Sequence, residues 1–174
     1  IPVLNKHNVP ELTIHARIGK QLYTGEPDQH IFAKAISLLK VPVIYNGDIF
    51  TKNDFLQFEK TFPAINTLMI GRGLLYDPFL PADIKGLSIN ADRKALIRKF
   101  TDDLYFGYRR QMNDNLSAIS VLKEYWSYLS QSFHDPHKVF KKIKKVNSFD
   151  EYEDSVSRVF EEFEWVGYRK TQPE

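Results

Sequence analysis

Two glycine-containing turns, NGD at 46–48 and GRG at 71–73, each close a short β-type run and lead toward a helical pattern. Glycine lets backbone N–H groups come close to an anion, and a following helix N-terminus adds partial positive charge. Arg72 offers a bidentate, charge-assisted contact to the same anion. Either turn alone reads as an ordinary tight turn. The pair, on neighbouring strand ends and accompanied by an arginine, reads as a phosphate site built from Asn46, Gly47, Gly71 and Arg72. Upstream, HAR at 15–17 ends another β-type run, so His15 and Arg17, two residues apart, are expected on one face at the same mouth. A polar loop, GKQLYTGEPD (19–28), follows it. Asp48, beside glycines at a strand exit, reads as a residue that shapes the turn rather than as a catalytic acid.

The elements that must position these groups alternate. ELTIHAR (11–17) predicts a strand, and DQHIFAKAISLLK (28–40) a helix with Ile31, Ala35, Leu38 and Leu39 at helical spacing. VPVIYN (41–46) predicts a strand apolar enough to be covered on both faces. TKNDFLQFEKTF (51–62) opens with Thr51 and Asp54 at capping-box spacing and aligns Phe55, Phe58 and Phe62. INTLMIG (65–71) predicts the third strand. Strand, helix, strand, helix, strand implies parallel pairing by right-handed crossovers, with ligands at the carboxyl ends of the strands. Three strands are few for such a fold, since a closed parallel barrel has eight, and a phosphate site between its last two strands is a recurring arrangement. An open doubly wound sheet commonly has five or six, so the expectation is part of a larger parallel α/β fold, barrel or open sheet, whose bare edges otherwise invite pairing with other strands or self-association.

After about residue 90 the pattern becomes helical. ADRKALIRKFTDDLYFGYRRQM (91–112) repeats Leu96, Phe100, Leu104 and Tyr108 every four residues. NLSAISVLKEYWSYLSQSF (115–133) follows, with Tyr125, Trp126 and Tyr128 read mainly as core. DPHKVFKKIKK (135–145) carries Asp135 as N-cap and Pro136 at the first helical position. SFDEYEDSVSRVFEEF (148–163) starts with Ser148 and Glu151 at capping-box spacing. The organisation expected is a βα part over 1–85 and a helical bundle over 86–174, joined by PADIKGLSIN (81–90). KVFKKIKK places Lys138, Lys141, Lys142, Lys144 and Lys145 within eight residues, with Val139, Phe140 and Ile143 turned inward. Such a face reads either as a solvated surface or as a contact for a phosphate backbone.

Bulk properties exclude several classes. A net charge of +2 declares no nucleic-acid partner, so basic surface must come from local clustering. With no cysteine there is no disulfide framework, thiolate zinc site or thiol catalyst. His30, His134 and His137 lack matched carboxylate partners, so no metal site is expected. No apolar run is long enough for a membrane helix, and the start, IPVLNKHNVPEL, lacks signal-peptide character. The chain begins without Met and in mid-pattern, which suggests a cut from a larger cytoplasmic protein.

LTIHAR, QLYTG, VPVIYNGDI and LMIGRGLLYDPFL, in this order and spacing, together resemble the tRNA-dihydrouridine synthase family, with a weaker continuation at LKEYW. The resemblance implies a (β/α)8 barrel carrying FMN, with these strands as the sixth to eighth, and a helical domain that helps hold tRNA. It places His15 near the flavin ring, and Asn46, Gly47, Gly71 and Arg72 at the FMN phosphate turns, with Asp48 counted in that cofactor-binding set. Arg17, Gln21 and Tyr23 fall near the substrate base or its loop, and Lys138, Lys141, Lys142 and Lys145 become tRNA contacts. The family reaction uses NADPH to reduce FMN and passes a hydride to C6 of a tRNA uridine. A cysteine protonates C5, and a strand lysine contacts cofactor and base. Neither lies in this chain, so no catalytic residue is assigned here and the chain alone is expected to be inactive. The family's GNGDI is YNGDI here, and Tyr45 is expected to alter packing more than phosphate contact. A noncatalytic RNA-binding fragment and a different FMN barrel oxidoreductase are the competing readings.

Overall fold

The computed structural model describes residues 1–112 and 115–170, which form two compact units, Ile1–Gly73 and Leu74–Glu174. The first unit holds three parallel strands in the order β1 (Leu12–His15), β2 (Val43–Asn46), β3 (Leu68–Met69). Helices α1 (Gln29–Leu38) and α2 (Lys52–Thr61) fill the connections, as the alternating pattern predicts. The strands are shorter than their apolar runs. After β1 the chain bends, the amide of Arg17 donating to His15 O at 2.8 Å, so Ala16 and Arg17 leave the ladder.

Register pairs His15 with Asn46 and Asn46 with Met69, while Ile14 pairs with Tyr45 and Tyr45 with Leu68. Tyr45 therefore stands on the face that α1 and α2 cover. There it stacks on Phe58 at 4.1 Å and meets Phe32 edge-on at 4.8 Å, and Phe62 meets Phe32 at 5.1 Å. Phe32 is the fully buried residue of α1, whereas Ile31 and Leu38 face water. Of the expected stripe of Ile31, Ala35, Leu38 and Leu39, only Ala35 and Leu39 are half-buried, and the residue turned fully inward is Phe32, whose ring meets Tyr45 and Phe62. On the other sheet face Thr13, His15 and Met69 are exposed and Ile44 and Asn46 half-buried. The expectation that β2 is covered on both faces fails there.

Unit two is helical: α3 (Arg72–Tyr76) runs into it, followed by α4 (Leu80–Ile84), α5 (Arg93–Gln111), α6 (Asn115–Leu129), α7 (Pro136–Ile143) and α8 (Phe149–Glu162). The stretch read as a linker begins inside α4. The core gathers Ile97, Tyr105, Ile119, Leu122, Trp126, Phe133, Val139, Ile143, Tyr152 and Val156. The buried line of α5 is Ile97, Thr101 and Tyr105, one residue off the expected line, and Leu96 and Phe100 are partly exposed. Trp126 is core as read, its indole N–H donating to the Tyr152 hydroxyl at 2.9 Å. Among the described residues no helix is long and apolar enough to cross a membrane.

Candidate functional site

The parallel register brings the ends of β1, β2 and β3 side by side, and two hydrogen bonds tie them together. His15 Nδ1 donates to the Asn46 carbonyl at 3.0 Å, and the Asn46 side-chain amide donates to Met69 O at 2.8 Å. A carbonyl can only accept, so Nδ1 is the donor in that bond and Nε2 is left for another partner. Asn46 is then a brace between strand ends as well as a turn residue.

Asp48 gathers two arginines, Arg17 from just after β1 and Arg72 from the start of α3. It pairs with Arg17, and its Oδ1 accepts from Arg72 Nη2 at 2.8 Å. The Arg17 side chain is 2% exposed and also donates to the carbonyls of Thr24 at 3.0 Å and Gly25 at 2.8 Å. Its Nε–H is buried and has no partner among the described residues. Arg72 lies over the Tyr23 ring at 4.1 Å and the Phe50 ring at 5.2 Å, so cation–π contacts as well as a carboxylate hold it. Two guanidinium groups against one carboxylate leave a local excess of one positive charge. Burial, and then the Asp48 carboxylate, push the Tyr45 phenol up from its ordinary pKa.

The loop after β1 is braced from within. Gln21 Nε2 donates to Thr24 O and Glu26 O at 2.8 and 2.9 Å, and Thr24 Oγ1 donates to Gln21 O at 2.7 Å. Arg17 and Gln21, read from sequence as substrate contacts, hold this loop closed, while Tyr23 stands 66% exposed under Arg72. The sequence reading missed Leu22, whose backbone lies at φ 49°, ψ −119°. No residue type flags that position, because leucine rarely adopts it.

The two glycine turns differ. A Cβ on Gly47 would fall 2.0 Å from the Tyr45 hydroxyl oxygen, whereas one on Gly71 would meet nothing within 4 Å. Helix α2, after the first turn, is closed by its own box. Thr51 Oγ1 accepts from the Asp54 amide at 3.1 Å, and Asp54 Oδ2 accepts from the amides of Thr51 and Phe50 at 2.9 and 3.1 Å. The capping box read from sequence is thus complete, and the carboxylate of Asp54 occupies the helix N-terminus beside NGD.

In the second unit, Val139 and Ile143 of α7 are fully buried and Phe140 packs against them, as expected. Lys141, Lys144 and Lys145 are exposed and take no part in the ion pairs among the described residues. Lys138 reaches Asp135 at 3.3 Å, and Lys142 is held by Glu162 at 3.0 Å. No group of three or more His, Cys, Asp or Glu side chains able to hold a metal occurs among the described residues.

The chain matches the family model described as dihydrouridine synthase over residues 3–164. It is 28% identical over 157 residues to a tRNA-dihydrouridine(16) synthase of Neisseria meningitidis serogroup A, covering 88% of this chain and 46% of that protein. To the tRNA-dihydrouridine(16) synthase of Escherichia coli strain K12 it is 28% identical over 148 residues, covering 79% and 43%. A probable tRNA-dihydrouridine synthase of Aquifex aeolicus is 28% identical over 125 residues, covering 71% and 34%. The chain thus spans less than half the length of these relatives. The matched residues run through the strand-end cluster and on into α8, and the chain belongs to the dihydrouridine synthase family.

Proposed function

We propose that this chain supplies the flavin-phosphate turns and the tRNA-holding helices of an FMN-dependent, NADPH-driven tRNA-dihydrouridine synthase. In this reading β1, β2 and β3 are the sixth to eighth strands of a (β/α)8 barrel whose remaining strands lie in other residues of the full-length protein. Parallel order, an uncovered sheet face bearing His15 and Asn46, and edge strands paired on one side among the described residues support it.

The residues fit the cofactor's phosphate at Gly71 and Arg72. Gly71 leaves open space for close approach to its backbone, the cluster carries one excess positive charge, and Arg17 keeps an unpartnered Nε–H. Gly47 fits less directly, because its bare Cα already accommodates Tyr45. When bound, FMN supplies the hydride that reduces the uridine C5–C6 double bond. Asp48 keeps both arginines aimed, Asn46 locks the strand ends, and His15 offers Nε2 on the sheet face where the flavin ring is expected. The exposed lysines of α7 give sequence-independent attraction to the tRNA backbone. The proton for C5 comes from no residue assigned in this chain.

The observation that carries this reading is the cluster of two arginines and one aspartate beside Gly71 at adjacent strand exits. Arg72→Ala in the full-length protein is expected to lower flavin content after gel filtration by about tenfold, a loss typical of one charge-assisted phosphate contact. Unchanged flavin content would remove Arg72 from the cofactor site. The names of the Neisseria meningitidis and Escherichia coli relatives carry position 16, so tRNA from a strain lacking the gene is expected to hold unreduced uridine there. A full complement of dihydrouridine in that tRNA would reject the reading.

A further inference from the structure

The loop that follows β1 does more than cover the strand ends. Leu22 sits at φ 49°, ψ −119°, a backbone conformation suited to glycine, and at 72% exposed it is the most exposed large hydrophobic residue described. The residues around it over-determine that conformation. A short 3-10 turn, Gly19–Gln21, leads in, Gln21 binds the carbonyls of Thr24 and Glu26, and the buried Arg17 binds those of Thr24 and Gly25. The loop is therefore stiff, and its stiffness serves to hold an apolar side chain in water. Ile18 and Tyr23 flank it, each 66% exposed, and the exposed Lys20 and the Arg72 guanidinium over Tyr23 add positive charge nearby. An apolar tip with cations at its base suits a nucleic acid, whose phosphates meet the cations while the tip meets the base stack.

We infer that Leu22 is a wedge that fills the gap left in the RNA stack when the reacting uridine is drawn out. The inference rests on the reading of tRNA uridine as the substrate. A stacked pyrimidine has both faces of its C5–C6 bond covered, so a hydride reaches C6 only after the base leaves the stack, at a cost in unstacking. An apolar side chain inserted in its place offsets that cost, and a strained, pre-set backbone spends no ordering entropy when it binds. Leu22 is a positioning residue: it touches the neighbours of the substrate base and none of the reacting atoms.

The test uses the full-length protein and measures dihydrouridine formation on two substrates, a folded unmodified tRNA transcript and an unstructured uridine-containing oligonucleotide. For Leu22→Ala and Leu22→Gly the ratio of kcat/KM on tRNA to that on the oligonucleotide is expected to fall about tenfold or more. Leu22→Met is expected to keep the wild-type ratio. Leu22→Gly, which removes the side chain and also relieves the backbone, is expected to melt no lower than wild type while still losing the ratio. If the ratio stays unchanged while wild type is active on tRNA, or both substrates fall alike, Leu22 serves the loop's fold and the wedge is overturned. Wild-type protein that forms no dihydrouridine in tRNA would overturn the underlying substrate reading and the wedge with it.

Discussion

A methyl group added at Gly47 has to displace an aromatic ring, and one added at Gly71 enters open space, so the two turns separate experimentally. Gly47→Ala is expected to destabilise the protein by about 1–3 kcal/mol in urea unfolding, the usual effect of overpacking, since Tyr45 is pinned between Phe32 and Phe58. Gly71→Ala is expected to leave unfolding within about 0.5 kcal/mol of wild type while weakening flavin retention. A stable Gly47→Ala protein, or a Gly71→Ala protein with normal flavin content, would contradict these assignments. The motif NGD suggested bare backbone for a ligand. The structure supplies a nearer cause at Gly47, the ring of the residue two positions earlier. Tyr45 packs in the aromatic cluster because β2 turns it onto the helix-covered face. Asp48 likewise read as a turn-shaping residue, and the structure makes it the partner of two arginines. One of them, Arg17, lies 31 residues away, a pairing that no local pattern encodes.

Helix α7 buries Val139 and Ile143 and exposes Lys141, and Lys145, in the turn just past its end, is exposed as well. If these lysines meet tRNA phosphates, changing both to Glu lowers the slope of log affinity against log salt by about 1.4–1.8, since each phosphate contact contributes about 0.7–0.9. A filter-binding titration of the full-length protein at several salt concentrations measures this, and an unaltered slope would exonerate the face. Lys142 is a weaker test, being already held by Glu162. Helix starts were well read where the signal spans four residues. Thr51 and Asp54 form the complete box, and Ser148 accepts from the Glu151 amide at 3.2 Å, although Glu151 itself reaches back to Asn147 N rather than to Ser148. Asp135 occupies the N-cap position without a side-chain cap bond and pairs with Lys138 instead. Helix faces were read less well. In α1 and α5 the apolar residues exceed what one stripe can bury, and a single large side chain, Phe32 or Tyr105, selects which line goes inside.

In the second unit the segment after α8 is strapped across the fold by a buried carboxylate. Asp77 accepts from the amides of Phe79 at 2.9 Å and Tyr168 at 3.4 Å, and the positive φ of Gly167, 72°, lets the chain pass close beside it. Phe133 bridges Trp165, and Tyr76 stacks on Tyr168 at 4.5 Å. Burial raises the Asp77 pKa, against the lowering effect of the two amides. Above the unfolded value of about 4, the folded protein then binds more protons than the unfolded chain, so stability falls as pH rises through that interval up to the raised value. Asp77→Asn is expected to flatten this dependence, read by tryptophan fluorescence during urea unfolding, since both tryptophans, Trp126 and Trp165, lie in this unit. A wild-type profile rising with pH over the same interval would refute the sign.

What could be known from residue order was whatever acts over a few positions. The alternation of β and helical periods, the helix starts, the glycine turns and the lysine face all express steric and hydrogen-bonding preferences between near neighbours in the chain. Folding in three dimensions settled the rest: which stripe of each helix is covered, why Gly47 is bare, and how Arg17, Asp48 and Arg72 share one charge cluster. It also settled the strained pose of Leu22. These depend on packing and charge between residues far apart in the chain, where volume and electrostatics act only once the strands have been brought side by side.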